Sequence, residues 1–274
     1  MNALRRTGQN LSTWLSVLLR PSRIPPERRA PLWPIKGWIT LAALLAILAV
    51  VAASMLLLDT VLIGQARQLP RWVRRIFEWI TWFGISGWFL WPTGILLLII
   101  AALPSSRLSR LGQGVLAAVV VRTGFIFLAI GTQALFVTMV KRIIGRARPY
   151  VFQVTDPYSY LPFIWKSSYA SLPSGHSANA FAAAIAIGAL WPQARLPLWI
   201  YAVLIAASRV VLTAHFPSDV IAGAVIGTAG ALLVRGWFAA RHLGFTVGSD
   251  AAIHRLPGPS WGRIKAVARR LLAP

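Results

Sequence analysis

Long uncharged apolar runs alternate with short polar segments along most of the 274-residue chain. The clearest run is GWITLAALLAILAVVAASMLLL, residues 37–58, which carries no charge over 22 residues. A helix of about 20 apolar residues crosses the roughly 30 Å hydrocarbon core of a bilayer. Similar runs predict five further spans, at about 84–103, 114–140, 174–190, 196–214 and 220–234. The pattern therefore predicts an all-α, polytopic membrane protein, a bundle of six transmembrane helices.

Between the first two spans, residues 60–85 are amphipathic instead of uniformly apolar. One helical face carries four large apolar side chains, Trp72, Ile76, Trp79 and Phe83. Another face carries four charged side chains, Arg71, Arg74, Arg75 and Glu78. Tryptophan at the membrane–water boundary and arginine towards the headgroups are typical of a helix that lies in the interface. We therefore predict an interfacial amphipathic helix in addition to the six spans.

Basic residues are unequally divided among the segments outside the spans. Residues 1–36 carry seven and the stretch from Arg235 onward carries seven, whereas 60–85 carry four and 141–173 carry five. Lysine and arginine accumulate on the cytoplasmic side of membrane proteins. Both termini are therefore predicted to be cytoplasmic, and the interfacial helix and the 141–173 loop are predicted to face outward.

The predicted organisation has three parts in a bacterial inner membrane: a basic cytoplasmic N-terminal segment, 1–36, a six-helix membrane domain, 37–240, and a basic cytoplasmic tail, 241–274. Within the first part, the apolar residues of LSTWLSVLLR recur at helical spacing. A short surface helix and an unstructured tail both remain open for this stretch. No cleavage site follows the basic start closely, so we do not predict a removable signal peptide.

Charge composition changes the expected partners more than the expected fold. The chain is 57% hydrophobic and 12% charged, with 28 Lys and Arg against 6 Asp and Glu, a net charge of +22. An anionic lipid bilayer explains basic residues placed between and beyond the spans. No nucleic-acid-binding module accompanies the charge, so nucleic acid is not an expected partner. The absence of cysteine excludes disulfides, thiolate catalysis and cysteine-ligated metals.

Three short polar clusters lie at the predicted outer ends of helices. They are KRIIGRARP at 141–149, PSGH at 173–176 and SRVVLTAHFPSD at 208–219. Ionisable groups at membrane depth are costly and usually face a cavity or a partner. The clusters are therefore expected to meet on one face of the membrane.

The first chemistry that this set suits is the binding of phosphate. Lys141, Arg148 and Arg209 can neutralise a dianion, and arginine presents a planar fork that fits phosphate oxygens. The backbone N–H groups of Ser174 and Gly175, at a predicted helix N-terminus, offer donors to the same anion.

Two histidines supply reactive groups beside this phosphate site. His215 and Asp219 are four residues apart and can meet across one helical turn. The carboxylate would fix the imidazole tautomer and leave the other ring nitrogen free to attack phosphorus. His176 is then free to protonate the leaving oxygen. The chain lacks the carboxylate cluster of a Mg²⁺ site, so we predict neither a metal nor another cofactor.

The three clusters resemble the signature motifs of the type 2 phosphatidic acid phosphatase family, which shares its site with the vanadium haloperoxidases. Lys141, Arg148 and Pro149 match the first motif, and residues 173–176 match the second. The third motif corresponds to four residues, Ser208, Arg209, His215 and Asp219. The resemblance implies a bundle of helices that carries a metal-independent phosphatase site at the outer leaflet.

The resemblance also implies a role for each residue. His215 would be the nucleophile that forms a phosphohistidine, Asp219 its orienting partner, and His176 the general acid and then the base for water. The phosphoryl oxygens would be held by five residues, Lys141, Arg148, Ser174, Gly175 and Arg209.

The lipid itself is left open by motifs that hold only the phosphoryl group. Phosphatidylglycerol phosphate, undecaprenyl diphosphate, phosphatidic acid and the phosphates of lipid A are all candidates. Two other functions remain as alternatives: a lipid phosphotransferase that uses the same phosphohistidine, and a non-catalytic lipid-binding or transport relative. The sequence indicates no oligomeric state.

Several residues near the motifs receive structural interpretations. Arg142 and Arg146 are expected to contact lipid by snorkelling. A direct role for Ser208 and a purely packing role are equally open. The glycines of GAVIGTAG, which begins at Gly223, predict close packing of helices instead of phosphate binding.

Overall fold

The computed structural model describes residues 3–23, 37–105, 108–151 and 156–272. Helices dominate these ranges. In chain order they are α1 Ala3–Leu18, α2 Gly37–Leu57, α3 Asp59–Arg67, α4 Arg71–Trp82, α5 Gly87–Ala102, α6 Arg110–Ile144, α7 Gly175–Leu190, α8 Arg195–Val211, α9 Pro217–Ala239 and α10 Trp261–Leu272. Short 3₁₀ turns occur at Ser167–Tyr169 and Pro192–Ala194. Two strands, β1 Phe245–Val247 and β2 Ile253–Arg255, pair as an antiparallel hairpin.

Five stretches within the described ranges are helical, long and apolar enough to cross a membrane: Gly37–Leu57, Arg71–Ala102, Arg110–Ile144, Pro192–Val211 and Pro217–Ala239. The fourth predicted span is present as α7, which is apolar but has 16 residues. The predicted mostly helical, multi-pass architecture is confirmed. The number of six spans and an interfacial position for α4 stay predictions.

The chain divides into two compact units. One comprises Trp33–Trp88 and Ala129–Leu232, and we call it the internal unit because it contains neither chain terminus. The other, the terminal unit, comprises Met1–Leu32, Phe89–Leu128 and Leu233–Pro274.

Aromatic packing forms part of the core of the terminal unit. Phe125 meets Phe238 and Phe245 edge to face, with ring centroids 5.3 and 4.8 Å away. Arg122 donates to the carbonyl oxygens of Leu256 and Pro257, each at 2.9 Å. This tie holds the segment after the hairpin against α6.

Two outcomes of the sequence analysis fall in the terminal unit. The helical alternative for LSTWLSVLLR is confirmed, because α1 extends through this stretch to Leu18. The β1–β2 hairpin was not predicted, since three-residue strands are too short to show a period of two.

Small residues let the helices of the internal unit approach closely. Ala180 and Ala184 of α7 form an apolar cluster with residues of α8. On α9, a Cβ at Gly223 would overlap the carbonyl oxygen of Ser174, and a Cβ at Gly227 would overlap that of Ala178. The prediction that these glycines serve close helix packing is confirmed. The contact fixes the start of α9 against the start of α7.

Candidate active site

The predicted site residues lie where helices of the internal unit end or begin. Lys141 is in the last turn of α6 and Arg209 in the last turn of α8. Ser174 is the N-cap of α7, and Asp219 lies in the first turn of α9. The backbone N–H of Ser174 donates to the carbonyl oxygen of Asp219 at 2.9 Å, which joins the two helix starts. The site thus contains cations from the ends of α6 and α8 and the N-termini of α7 and α9. Cations and helix N-termini both favour a bound anion.

A glycine directs the chain from α6 into the site. Gly145 follows the last residue of α6 with a φ of +63°, the left-handed conformation in which helices commonly end at glycine. A Cβ here would overlap the carbonyl oxygen of Leu161, whose N–H donates to the Gly145 carbonyl at 2.7 Å. The loop that follows carries Arg148, whose backbone N–H donates to the carbonyl oxygen of Ser168 at 2.8 Å. The turn at Gly145 thereby brings Arg148, in the loop, to the same site as Lys141, at the end of α6.

Lys141 lies against the first turn of α7. Its Nζ is 3.3 Å from the position that a Cβ on Gly175 would occupy. The missing side chain therefore leaves the ammonium close to the helix N-terminus. Ser174 is fully buried, and its Oγ accepts from the Ser177 hydroxyl at 3.0 Å. The helix itself thus holds the Ser174 side chain in place.

Arg148 and Arg209 are largely buried, and their donors are only partly used. Nη1 of Arg209 donates to the Thr81 hydroxyl at 2.6 Å, and Nη2 of Arg148 reaches the Ala170 carbonyl at 3.5 Å. Within the described ranges, the buried Nε of each arginine has no hydrogen-bond partner. Burial lowers the pKa of Arg148. Buried cations with unused donors are expensive, and a phosphoryl group is the type of ligand that satisfies them.

His215 is buried in a neutral state suitable for a nucleophile. The side chain is 1% exposed, and burial lowers its pKa to about 4 although the neighbouring Asp219 carboxylate opposes the shift. Nδ1 lies 3.6 Å from Oδ2 of Asp219, too far for a hydrogen bond. Nδ1 therefore has no hydrogen-bond partner among the described residues. A small approach of the two groups would complete the bond, as catalytic hydrogen bonds often tighten with substrate.

The Asp219 carboxylate is fixed by three donors. Oδ2 accepts from the Ser171 hydroxyl at 2.5 Å and from the Phe216 N–H at 2.9 Å. Oδ1 accepts from Nη1 of Arg146 at 2.6 Å, and Asp219 is fully buried. The hydrogen bond from the Phe216 N–H also caps α9. Asp219 therefore has two positions to satisfy, as a helix cap and as the neighbour of His215.

His176 follows Gly175 in the first turn of α7 and is partly buried. The charges of Lys141, Arg148 and Arg209, and the ring of His215, all lie near enough to influence it. Gly84 packs on its ring, since a Cβ there would stand 2.8 Å from Cδ2. All eight predicted site residues therefore lie in one cluster, and their individual roles stay predictions. Sequence reasoning missed Thr81 and Gly84, which no motif contains.

The prediction that Arg146 contacts lipid is wrong. Its side chain is 0% exposed and forms ion pairs with Asp59 at 2.7 Å and Asp219 at 2.6 Å. Sequence reasoning also missed Asp59, which is fully buried at the start of α3. One signal was available: Asp59 is among only six acidic residues and directly follows the most apolar span. An acid at that depth needs a partner.

Two other open interpretations can be placed. The Ser208 hydroxyl donates to the Ile205 carbonyl at 2.6 Å, so its hydrogen bond is made within α8. The guanidinium of Arg142 lies 5.5 Å from the ring centroid of Trp165, and its buried Nε and Nη1 have no hydrogen-bond partner within the described ranges. Arg142 was expected to contact lipid, and the structure shows that its guanidinium also contacts Trp165.

Comparison with known proteins assigns the family. Residues 122–243 match the model of the PAP2 superfamily. A lipid A 1-phosphatase of Rhizobium johnstonii is 33% identical over 76% of this chain and 85% of its own length. A lipid A 1-phosphatase of Rhizobium etli is 32% identical over 72% of this chain and 81% of its own length.

Among solved structures, a transmembrane PAP2-type phosphatidylglycerolphosphate phosphatase of Bacillus subtilis is similar at 27% identity and a TM-score of 0.49. The alignment covers 72% of this chain and 94% of that chain. The identities to the curated relatives, together with the three complete motifs, establish the class of enzyme. The chain belongs to the PAP2 superfamily and is a membrane lipid phosphatase.

Proposed function

We propose that this phosphatase removes the 1-phosphate of lipid A through a phosphohistidine on His215. The observation that carries the mechanism is the pairing of a buried, neutral His215 with two arginines, Arg148 and Arg209, whose Nε donors are unused. The choice of lipid A among the candidate lipids is supported by the two relatives named lipid A 1-phosphatase.

In the first step, one oxygen of the lipid phosphate lies among Lys141, Arg148 and Arg209, and the N-terminus of α7 donates to another. Nε2 of His215 attacks phosphorus, and an N–P bond forms as the bond from phosphorus to the lipid oxygen breaks. His176, protonated once the bound phosphate offsets the three cations beside it, gives its proton to that leaving oxygen, so the lipid departs as an alcohol. Asp219 accepts the Nδ1–H of His215 and stabilises the positive ring that develops.

In the second step, water attacks the phosphohistidine. His176, now neutral, takes a proton from this water, the N–P bond breaks, and inorganic phosphate leaves. Charge on the phosphoryl oxygens is neutralised throughout by the three cations, so the proposed reaction proceeds without a metal. Transfer to a second lipid in place of water would make this enzyme a phosphotransferase with the same first step.

We further propose the membrane layout that the sequence predicts. The six spans would be formed by α2, α5, α6, α7, α8 and α9, with α4 in the interface. Both termini would be cytoplasmic, and the site would face outward from the bacterial inner membrane. Because the chain contains no cysteine, single-cysteine variants test this cleanly. Tyr158→Cys should react with an impermeant maleimide on intact spheroplasts and Trp261→Cys only after lysis; the opposite result rejects this orientation.

The first experiment measures inorganic phosphate released by purified, detergent-solubilised protein in EDTA. The panel contains lipid A, phosphatidylglycerol phosphate, undecaprenyl diphosphate and phosphatidic acid. We expect release from lipid A, from its 1-position, that His215→Ala abolishes and His254→Ala, at an exposed histidine, leaves intact. Preferential release of phosphate from another lipid would refute the proposal that lipid A is the substrate. A requirement for divalent metal would refute the mechanism. With lipid A labelled in its 1-phosphate, label that appears in a second lipid in place of inorganic phosphate would make the enzyme a phosphotransferase.

A further inference from the structure

The carboxylate behind the nucleophile belongs to a larger buried network. One guanidinium, that of Arg146, lies between Asp219 and Asp59 and pairs with both. Its Nη1 also donates to the Ser218 hydroxyl at 2.7 Å, and its Nε donates to the Pro157 carbonyl at 3.0 Å. All charged members of the network are 0% exposed. Every nitrogen of this guanidinium is therefore committed, and its orientation is fixed.

Asp59 reaches the start of α9 independently of Arg146. Its Oδ1 accepts the Ser218 N–H at 2.9 Å, and its Oδ2 accepts the Ser218 hydroxyl at 2.5 Å. The first N–H groups of a helix have no partner within the helix. Asp59, from α3, is the acceptor for the Ser218 N–H, and Asp219 is the acceptor for the Phe216 N–H. Two carboxylates thus hold the first turn of the helix that directly follows His215.

Charge in the network is unequal, with two carboxylates to one guanidinium. A lone Arg–Asp pair would neutralise Asp219 and weaken it as an acceptor for Nδ1–H of His215. Asp59 shares the cation and leaves the group with an excess negative charge next to His215. The second carboxylate therefore maintains the acceptor strength of Asp219 as well as its position.

We propose that Asp59 and Arg146 are positioning residues of the phosphatase, which orient Asp219 and preserve its negative charge behind His215. This inference rests on the proposed phosphohistidine function. Neither residue touches the phosphoryl group in this arrangement, and both act through Asp219. Asp59 lies outside the three motifs, and Arg146 stands within the first motif at a position that the motif does not specify.

The test is Asp59→Asn, which keeps the shape of the side chain and removes its charge. We expect kcat to fall about 100-fold with KM changed by less than about threefold, as for other groups that orient a reactive side chain. Asp250→Asn is the matched control, because it removes an exposed carboxylate that pairs with His254. The control should keep the wild-type kcat.

A pH profile separates positioning from simple loss of structure. His215 is faced by Asp219 from α9, Arg209 from α8, Arg148 from the loop after α6 and His176 from α7. Loss of the Asp59 charge makes this surrounding more positive. The acid limb of kcat/KM in Asp59→Asn should therefore move to lower pH, an effect that a change in stability alone does not produce.

A double variant covers the case in which Asp59→Asn does not fold. Asp59→Asn with Arg146→Gln removes one charge of each sign and should fold, yet its kcat should stay at least about 10-fold below wild type. A folded Asp59→Asn with wild-type kcat and an unmoved acid limb, or a double variant with wild-type kcat, would overturn the inference. An inactive wild type would instead refute the proposed function.

Discussion

Two kinds of buried arginine occur in this protein. Arg146 donates to two carboxylates, a hydroxyl and a carbonyl, whereas Arg148 and Arg209 each keep a buried Nε without a partner among the described residues. Burial acts against the charge of Arg146, yet Asp219 and Asp59 together raise its pKa; burial lowers the pKa of Arg148. A satisfied buried cation maintains the framework, and an unsatisfied one is available to a ligand.

The strongest test of this difference removes the satisfied cation. Arg146→Gln leaves Asp59 and Asp219 buried without their cation. We expect the free energy of unfolding to fall by about 3–5 kcal/mol, the usual cost of breaking a buried pair. Denaturant titration in detergent measures it. Full stability in Arg146→Gln would mean that the network does not support the fold.

The converse test removes an unsatisfied cation. Arg148→Gln should lower kcat/KM by about 10²–10³-fold, as loss of a preorganised donor does. Its stability should be equal to or above wild type, because an uncompensated buried charge is gone. Phosphate release and thermal unfolding give the two values, with Arg263→Gln on exposed α10 as control. A stability loss as large as that of Arg146→Gln would remove the distinction between the two kinds of arginine.

A smaller effect is expected from pH. Since His215 has a pKa of about 4 in the folded protein and about 6.5 when unfolded, the unfolded chain binds the extra proton first as pH falls. This contribution to stability is present above about pH 6.5 and is lost between about pH 6.5 and 4. His215→Asn should lose less stability than wild type over that interval in thermal unfolding. Equal losses would place the His215 pKa near its ordinary value.

Local patterns predicted the site better than its support. Lys141, Arg148, Ser174 and Gly175 are recognisable because short spacings fix their relations within a helix end or a turn. Arg146, in the same stretch, has the sequence appearance of any arginine just beyond a membrane helix. Its partner Asp59 is 87 residues away. Only tertiary packing distinguishes a buried ion pair from an arginine in contact with lipid headgroups.

The fold shows the same limit. Uncharged runs predicted the helices, since a bilayer imposes their length and composition. Gly223 and Gly227 correctly predicted close packing, because small residues in membrane helices have few other uses. The hairpin at Phe245–Arg255 was missed because its strands are short. The contact of Thr81 with Arg209 was missed because nothing in the local sequence of α4 indicates which helix it meets.

The Asp59 network also bears on how the chain matures in the membrane. Asp59 is synthesised 87 residues before Arg146 and 159 residues before Ser218. The apolar helix α2 is therefore followed by an acid whose partners in the folded protein have not yet been synthesised. A chain that stops short of α9 contains Lys141, Arg148 and His215 but lacks Ser218 and Asp219. It can therefore complete neither the support of Asp59 nor the proposed orientation of His215. Assembly of the Asp59 network and of the proposed site therefore both wait until the start of α9 has been made.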